Sequence, residues 1–253
     1  MRVAVAGVEF DNVTMDETLA WIVDRVRRPH RPALICTGNL DHLVTLQQDT
    51  SFRAAYQEAD LVLADGMPVV WLSRLRHGKG LKERVAGSDL FWELARVSDT
   101  SGIRLFFLGG SPGSAERAAE AVRRRYPGAQ VCGIYCPPFE TFHTEEEQQR
   151  IRARIHAAAP DVLLVGLGAP KQEKWIISSR DAVQVPVSIG VGGSFEMAGG
   201  AIRRAPLWMQ RVGLEWVHRL MQEPQRMWKR YLCRDLPFFA RLLVDVLLFR
   251  RTI

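Results

Sequence analysis

The chain has 253 residues, of which 47% are hydrophobic and 25% charged, a composition that suits one large α/β domain or one domain with an extension. Its whole formal net charge of +6 lies in residues 194–253, which hold 11 Lys/Arg and 5 Asp/Glu, whereas residues 1–193 hold 23 of each kind. The sequence shows neither the ~20 consecutive apolar residues of a transmembrane helix nor an N-terminal signal peptide, so we expect a cytoplasmic protein.

Short runs of β-branched and apolar residues predict the strands of the fold. They are Ala33–Cys36, Leu61–Leu63, Ile103–Leu108, Gln130–Ile134, Asp161–Val165 and Val185–Ile189. Helical stretches alternate with them, among them one that follows Ser114 and one over Glu145–Ala159. This alternation predicts an α/β fold with a Rossmann-like parallel sheet that carries helices on both faces.

A glycine-rich stretch, Gly192–Ala201, marks the predicted boundary between two parts of the chain. Residues 1–193 form the predicted globular body, and residues 194–253 form a basic, aromatic and helical appendage. Arginine mixed with tryptophan and phenylalanine suits a surface where anionic headgroups adjoin an apolar layer. We therefore expect the appendage to associate with an anionic membrane surface.

The last predicted helix is amphipathic. Its apolar face is formed by Phe238, Phe239, Leu242, Leu243, Val246, Leu247 and Phe249. Arg234, Arg241 and Asp245 lie on the opposite face. Periodicity does not distinguish a helix that contacts lipid from one that packs on the body, so both interpretations remain open.

Two polar loops follow predicted strands, at the sheet edge where parallel folds bind ligands. Thr37 and Asn39 follow the first of these strands, and Asp65 follows the second. A carboxylate at a strand end can take a proton from a hydroxyl group. The alternative for Asn39 and for Asp65 is a cap on the next helix.

Two glycine-rich turns, 109–114 and 166–172, each connect a strand to a helix. Backbone N–H groups at a helix N-terminus bind phosphate, so we expect Gly109, Gly110, Ser111, Gly168 and Pro170 near a nucleotide diphosphate. Neither turn is a Walker loop or a Gly-x-Gly-x-x-Gly fingerprint.

The chain also lacks an Asp-x-Asp pair and the ligand spacings of a metal site. Its four cysteines match neither a zinc site nor a disulfide framework, so we expect them to be reduced. Arginines would then neutralise a leaving diphosphate, with no metal and no resident cofactor. The candidates are Arg84 in the body and Arg203, Arg204, Arg219, Arg226, Lys229 and Arg230 in the appendage.

Taken together, these residues resemble the WecG/TagA/CpsF glycosyltransferases, family 26, from about Val8 to Tyr231. The matching segments are Thr37-x-Asn39, AYQEADLVLADGMPVVW (55–71), ERVAGSDL (83–90), LGGSPG (108–113), YPG (126–128), VGLGAPKQEKW (165–175), RAPLWMQRVGLEWVHRL (204–220) and EPQRMWKRYL (223–232). One departure is Gly192-Gly193-Ser194-Phe195-Glu196, where the family often has Gly-Ala-x-Phe-Asp.

The resemblance implies a metal-independent, inverting transfer of a sugar from a UDP-sugar to a sugar on a polyprenyl diphosphate. This reaction serves cell-surface polysaccharide synthesis at the inner face of the bacterial membrane, where the protein would be peripheral. Donors compatible with the family are UDP-N-acetylmannosamine, its uronate and UDP-glucose. The acceptor sugar and a homo-oligomeric state stay open.

The resemblance also implies roles for individual residues. Asp65 would be the base, and Arg84 together with the appendage cations would stabilise the diphosphates of donor and acceptor. The appendage residues that the resemblance implies at the substrate are Arg219, Arg226, Lys229 and Arg230. We also expect substrate contacts from Thr37, Asn39, Gly66, Gln172 and Glu173, where Thr37 and Asn39 would orient the sugars and Gln172 would contact the donor.

Two other functions are compatible with parts of the sequence. A Rossmann-like sheet also suits a nicotinamide-dependent oxidoreductase, although the dinucleotide fingerprint is missing. A non-catalytic module could bind RNA or anionic lipid through the basic appendage. The neutral body argues against nucleic acid, so we expect no nucleic-acid partner.

Overall fold

The computed structural model describes residues 1–28, 31–77 and 79–246. Its strands are β1 (Arg2–Val5), β2 (Val8–Asp11), β3 (Ala33–Gly38), β4 (Leu61–Ala64), β5 (Arg104–Gly109), β6 (Gln130–Tyr135), β7 (Val162–Gly166) and β8 (Val187–Gly190). The helices of the first 200 residues are α1 (Met15–Arg27), α2 (Leu40–Leu46), α3 (Thr50–Gln57), α4 (Met67–His77), α5 (Gly87–Ser101), α6 (Ser114–Arg125), α7 (Glu145–Ala158), α8 (Lys171–Val183) and α9 (Ser194–Ala198).

Six parallel strands form the central sheet of the described chain, in the order β4-β3-β8-β7-β5-β6. The sheet confirms all six predicted strands, each within two residues at either end. Alternate residues of these strands enter two separate apolar cores, one on each face. The predicted parallel sheet with helices on both faces is therefore confirmed.

The N-terminal hairpin β1-β2 was not predicted. Its strands pair antiparallel, and Ala6 and Gly7 form the turn with φ of 50° and 76°. Phe10 is fully buried, and Asp11 accepts a hydrogen bond from the backbone N–H of Val62. A two-residue loop ending in glycine between alternating apolar residues was the signal available in the sequence.

The appendage continues as α10 (Leu207–Arg211), α11 (Glu215–Gln222), α12 (Pro224–Trp228), a π-helix (Lys229–Asp235) and α13 (Leu236–Val244). The π-helix packs on α2, and α13 packs on α4. Leu242 is buried in one of the two apolar cores of the body, where the partly buried side chains of Phe238, Phe239 and Leu243 pack against the same core. The apolar face of α13 thus packs on the body, while Leu247 and Phe249 lie outside the described residues.

The boundary after residue 193 stays a prediction. The packing of Phe195 on the body bears on any truncation of the chain at this point. Phe195 in α9 is fully buried and packs on Phe91 and Phe107 of the body, with ring centroids 6.0 and 5.1 Å away. Cutting the chain after residue 193 would open that core, so point substitutions are better probes of the appendage. None of the helices formed by the described residues has the length and apolar character needed to cross a membrane.

Candidate active site

A pocket of about 440 Å³ lies at the carboxyl ends of β3, β4, β7 and β8, and the appendage closes its outer side. Among the described residues, six arginines and four carboxylates line this pocket. The arginines are Arg84, Arg203, Arg204, Arg219, Arg226 and Arg230. The carboxylates are Asp41, Asp65, Glu215 and Asp235. The excess of guanidinium groups favours a substrate with several negative charges.

The structure brings many of the predicted site residues together in this pocket. Those that line it are Thr37, Asn39, Asp65, Gly66, Arg84, Gly168, Gln172, Arg219, Arg226 and Arg230. The predicted residues that do not line it are Gly109, Gly110, Ser111, Pro170, Glu173 and Lys229. Lys229 is exposed and lies over the Trp228 ring, 5.6 Å from its centroid.

Asp65 follows β4 directly and is held by main-chain contacts. Its own N–H donates to the carbonyl of Gly38 at 2.8 Å, and its carboxylate accepts from the backbone of Gly87. Burial raises the pKa of Asp65 from 3.8 to about 6, against the opposing effect of Arg84. A carboxylate with a pKa near the working pH is well suited to take a proton from a hydroxyl group.

Thr37 and Asn39 are positioned by different bonds. The buried Thr37 hydroxyl donates to the carbonyl of Gly190 at 2.9 Å. Asn39 accepts from the backbone N–H of His42 at 3.1 Å and so caps α2, as its alternative interpretation predicted. Because the cap uses only the side-chain oxygen, the Asn39 amide group still has donors to offer to a ligand in the pocket.

Arg84 belongs to a closed ring of four charged side chains, which we call the charge ring: Arg84, Asp89, Arg204 and Glu215. Arg84 lies 2.8 Å from Asp89 and 3.2 Å from Glu215. Arg204 lies 2.6 Å from Asp89 and 3.6 Å from Glu215. The ring joins two body residues to two appendage residues at the pocket wall.

Three further arginines face the pocket with weaker or fewer partners. Arg219 lies 3.5 Å and Arg226 3.2 Å from Glu223, and the Arg226 side chain is 69% exposed. Arg230 lies 3.3 Å from Asp41 and 3.8 Å from Asp235. Guanidinium groups held this loosely can exchange a carboxylate for a phosphate.

Gln172 and Glu173 join the two loops that form the pocket floor. The Gln172 side-chain oxygen accepts from the N–H groups of Gly168 and Gly192 at 3.2 and 3.0 Å. Its amide nitrogen donates to Glu173 at 2.8 Å. Glu173 is fully buried, and burial raises its pKa to about 7. Its side chain does not line the pocket but positions Gln172 through this hydrogen bond.

The turn at 109–114 lies at the same sheet edge, because Gly109 pairs with Gly166. Two of its backbone donors are engaged by the chain itself: the Gly110 N–H donates to the carbonyl of Gly166 at 2.8 Å, and the Ser111 N–H donates to Glu196 at 2.7 Å. A phosphate at this turn would therefore meet a carboxylate. The hydroxyl groups of a ribose are the part of a nucleotide that a carboxylate can bind.

Several lining residues were not predicted as site residues. Trp71, Trp216 and Tyr231 supply apolar walls, and Glu215 and Asp235 supply carboxylates. His42 also lines the pocket; burial lowers its pKa to about 3, and its Nδ1 lies 2.6 Å from the Tyr56 hydroxyl. The only sequence signal for Glu215 and Trp216 is their place inside the segment 204–220 that carries the family resemblance.

Within the described ranges, no group of three or more His, Cys, Asp or Glu side chains is placed to hold a metal ion. The four cysteines are free thiols, with Cys36 buried and Cys233 exposed.

Comparison with known proteins agrees with the resemblance. The family model described as "Glycosyl transferase WecG/TagA/CpsF family" matches residues 3–252. A relative from Bacillus spizizenii is 35% identical over 203 residues, 80% of this chain and 76% of its own. A relative from Bacillus subtilis is 34% identical over 208 residues, 82% of this chain and 77% of its own.

A Staphylococcus aureus relative is 29% identical over 240 residues, 94% of this chain and 90% of its own. All three relatives are named N-acetylglucosaminyldiphosphoundecaprenol N-acetyl-beta-D-mannosaminyltransferase. The matches favour glycosyl transfer over an oxidoreductase or a non-catalytic module.

Proposed function

We propose a specific reaction for this chain, which belongs to the WecG/TagA/CpsF family of glycosyltransferases and acts in cell-surface polymer synthesis. The chain moves N-acetylmannosamine from UDP to N-acetylglucosamine carried by undecaprenyl diphosphate. The relatives' names supply both sugars and the lipid. The observation that carries the proposal is the pocket itself, in which a basic carboxylate, Asp65, lies among six arginines.

Asp65 is the proposed base. The acceptor hydroxyl oxygen attacks the anomeric carbon of the donor sugar, and Asp65 takes the hydroxyl proton. The bond between that carbon and the β-phosphate oxygen breaks, and UDP leaves with the electron pair. Attack from the face opposite to UDP inverts the anomeric configuration.

Arginines stabilise both diphosphates in this proposal. Donor and acceptor each bring a diphosphate, and negative charge grows on UDP as it leaves. Arg219, Arg226 and Arg230 face the pocket with loosely held guanidinium groups that suit this charge. We place the donor diphosphate near these arginines and the Gly168 turn. The ribose lies toward Ser111 and Glu196, because the Glu196 carboxylate repels phosphate but accepts hydrogen bonds from hydroxyl groups.

The membrane-facing surface in this proposal is the outer side of the appendage. Nine of the twelve large apolar side chains exposed in the described part of the chain lie between residues 207 and 244. They are Leu207, Trp208, Val212, Leu214, Met221, Trp228, Leu232, Leu236 and Val244. With the net positive charge of the appendage, this surface suits the headgroup region of an anionic bilayer.

Replacing Trp208 and Trp228 by serine is expected to weaken binding to anionic liposomes about tenfold or more, because these residues are 60% and 45% exposed and their rings would insert at the interface. Sedimentation with phosphatidylglycerol vesicles measures this loss, and rising salt should weaken wild-type binding. Phe139→Ser is the matched control, since Phe139 is 72% exposed on the body. Equal loss in the control would contradict the assigned surface.

The reaction is tested with purified protein, UDP-N-acetylmannosamine and a short-chain polyprenyl diphosphate that carries N-acetylglucosamine. UDP release and the mass of the lipid product are measured together. UDP-glucose and UDP-N-acetylglucosamine serve as competing donors. Product formed only from another donor would overturn the proposed sugar, and no product from any donor would overturn the proposed reaction.

EDTA is expected to leave turnover largely intact, because the arginines of the pocket supply the positive charge that Mg²⁺ would otherwise bring to the leaving diphosphate. The same assay measures this with and without the chelator. Loss of turnover that added Mg²⁺ or Mn²⁺ restores would contradict metal independence.

A further inference from the structure

The charge ring connects the appendage to the surroundings of Asp65. Arg84 and Asp89 come from the body, Arg204 and Glu215 from the appendage, and each arginine contacts both carboxylates. The Arg84 side chain is 16% exposed and those of Asp89 and Glu215 are each 32% exposed, so its two ion pairs are partly shielded from solvent. In this arrangement each terminal nitrogen of Arg84 has a carboxylate partner that is not Asp65.

Asp65 lies next to this ring. The loop that carries Arg84 continues to Gly87, whose backbone group hydrogen-bonds to the Asp65 carboxylate. The charged groups that shift the pKa of Asp65 are Arg84, Glu215 and Asp89. The charge of Asp65 in turn contributes to raising the pKa of the Tyr56 phenol. Arg84 favours the ionised form of Asp65, whereas Glu215 and Asp89 oppose it.

An arginine beside a carboxylate has two possible effects on a base. If Arg84 paired with Asp65, the pair would hold the carboxylate ionised, and a carboxylate so stabilised is a weak base. If Arg84 is held by other carboxylates, Asp65 keeps its basicity. Asp89 belongs to the body, so its contact with Arg84 does not require the appendage. Glu215 belongs to the appendage, so its contact with Arg84 forms only when the appendage is docked.

We propose that Glu215 is a positioning residue for Asp65: by binding Arg84 and Arg204, it keeps the Arg84 guanidinium away from the base. The inference rests on the proposed function, in which Asp65 takes the acceptor proton. Docking of the appendage thus completes the site with a carboxylate as well as with arginines. A body with an undocked appendage would hold Asp65 in a paired, weakly basic state.

The first test is the pH profile of kcat/KM for Glu215→Gln, a substitution that keeps the size of the side chain and removes its charge. Loss of the Glu215 charge and pairing of the freed Arg84 with Asp65 should both lower the pKa of Asp65, so the acid limb of the profile moves from near pH 6 to lower pH by about one unit. The plateau rate should fall by up to about tenfold, because a base whose pKa is one unit lower accepts the proton at most that much more slowly. A purely structural role would lower the plateau and leave the limb in place.

Asp245→Asn is the matched control. It removes the same charge from the appendage, and Asp245 contacts Arg241 at 3.9 Å and does not line the pocket. The limb of the control should stay where it is in the wild type. If Glu215→Gln also leaves the limb unmoved while Asp65→Asn is inactive, the role of Glu215 is overturned and the proposed reaction stands.

The second test does not depend on turnover. The difference in Tm between a protein that keeps Asp65 and its Asp65→Asn variant reports the titration of Asp65 as pH is varied. This difference is measured in the wild-type background and in the Glu215→Gln background. A midpoint at lower pH in the second background supports the inference, and identical midpoints overturn it, even if the proposed reaction is not observed.

Discussion

Asp65→Asn is expected to lower kcat by about 10²–10⁴ while UDP binding and the fold are kept. Asparagine has nearly the same shape as aspartate and retains an oxygen that can accept from Gly87, but it cannot take the acceptor proton. Asp181→Asn is a suitable control, because that side chain is 93% exposed and does not line the pocket. Turnover of Asp65→Asn within about threefold of the wild type would contradict the role of Asp65 as base.

The pH dependence follows from the raised pKa of Asp65. Wild-type kcat/KM should rise as pH increases through about 6, because only the ionised carboxylate accepts a proton. The free energy of unfolding changes in the opposite direction. Because the pKa of Asp65 is about 6 in the folded state and 3.8 as its ordinary value, the neutral carboxyl contributes its full stabilisation below pH 3.8, and this contribution is lost as pH rises through about 6. Above pH 7 the ionised group costs up to about 3 kcal/mol.

Asp65→Asn removes this cost, so its Tm at pH 8 should equal or exceed that of the wild type. Thermal unfolding at pH 4 and at pH 8 measures the change. A variant that is inactive but also clearly less stable at pH 8 would point to a structural role for Asp65 instead.

The double substitution Arg219→Ala and Arg226→Ala is expected to lower kcat/KM by about 10²–10⁴, because each lost charge-assisted bond to a diphosphate is worth about 1.5–3 kcal/mol. Both guanidinium groups line the pocket, and Glu223 is the carboxylate partner of each. Binding to anionic liposomes should change less, since these side chains face the site. The assay uses a short-chain, water-soluble acceptor so that catalysis is read apart from membrane binding.

Arg211→Ala with Arg241→Ala removes the same charge from the appendage outside the pocket, where Arg241 is 82% exposed. This control should weaken liposome binding and leave turnover of the soluble acceptor unchanged. If the two double variants showed the same loss of turnover, the appendage arginines would act through general charge, and the assigned diphosphate contacts would be wrong.

The sequence alone determined the sheet and much of the pocket. Strands buried on both faces appear as continuous apolar runs, so six strands could be located from composition. Because parallel strands end at one edge, the residues that follow them, such as Thr37, Asp65 and Gly168, could be predicted to converge. The family resemblance and the positive charge of the appendage are likewise properties of the sequence itself, since both depend only on residue order and type.

The tertiary structure decided which side chains of the helices and turns face the pocket. Gln172 lines the pocket, whereas Glu173, the next residue of the same helix, does not line it and is fully buried. Lys229 faces outward, whereas its neighbour Arg230 faces Asp41. Adjacent residues on a helix point about 100° apart, so the rotation of the helix, set by its packing, decides which one reaches a ligand.

The charge ring also depends on tertiary structure alone. Arg84 and Glu215 are 131 positions apart, and their contact forms only when the appendage docks on the body. Likewise, Glu196 reaches the turn of Ser111 from a position 85 residues away. Local pattern carries no information about such pairs, because an isolated charged side chain on a surface helix is the same in sequence whether solvent or a distant partner faces it.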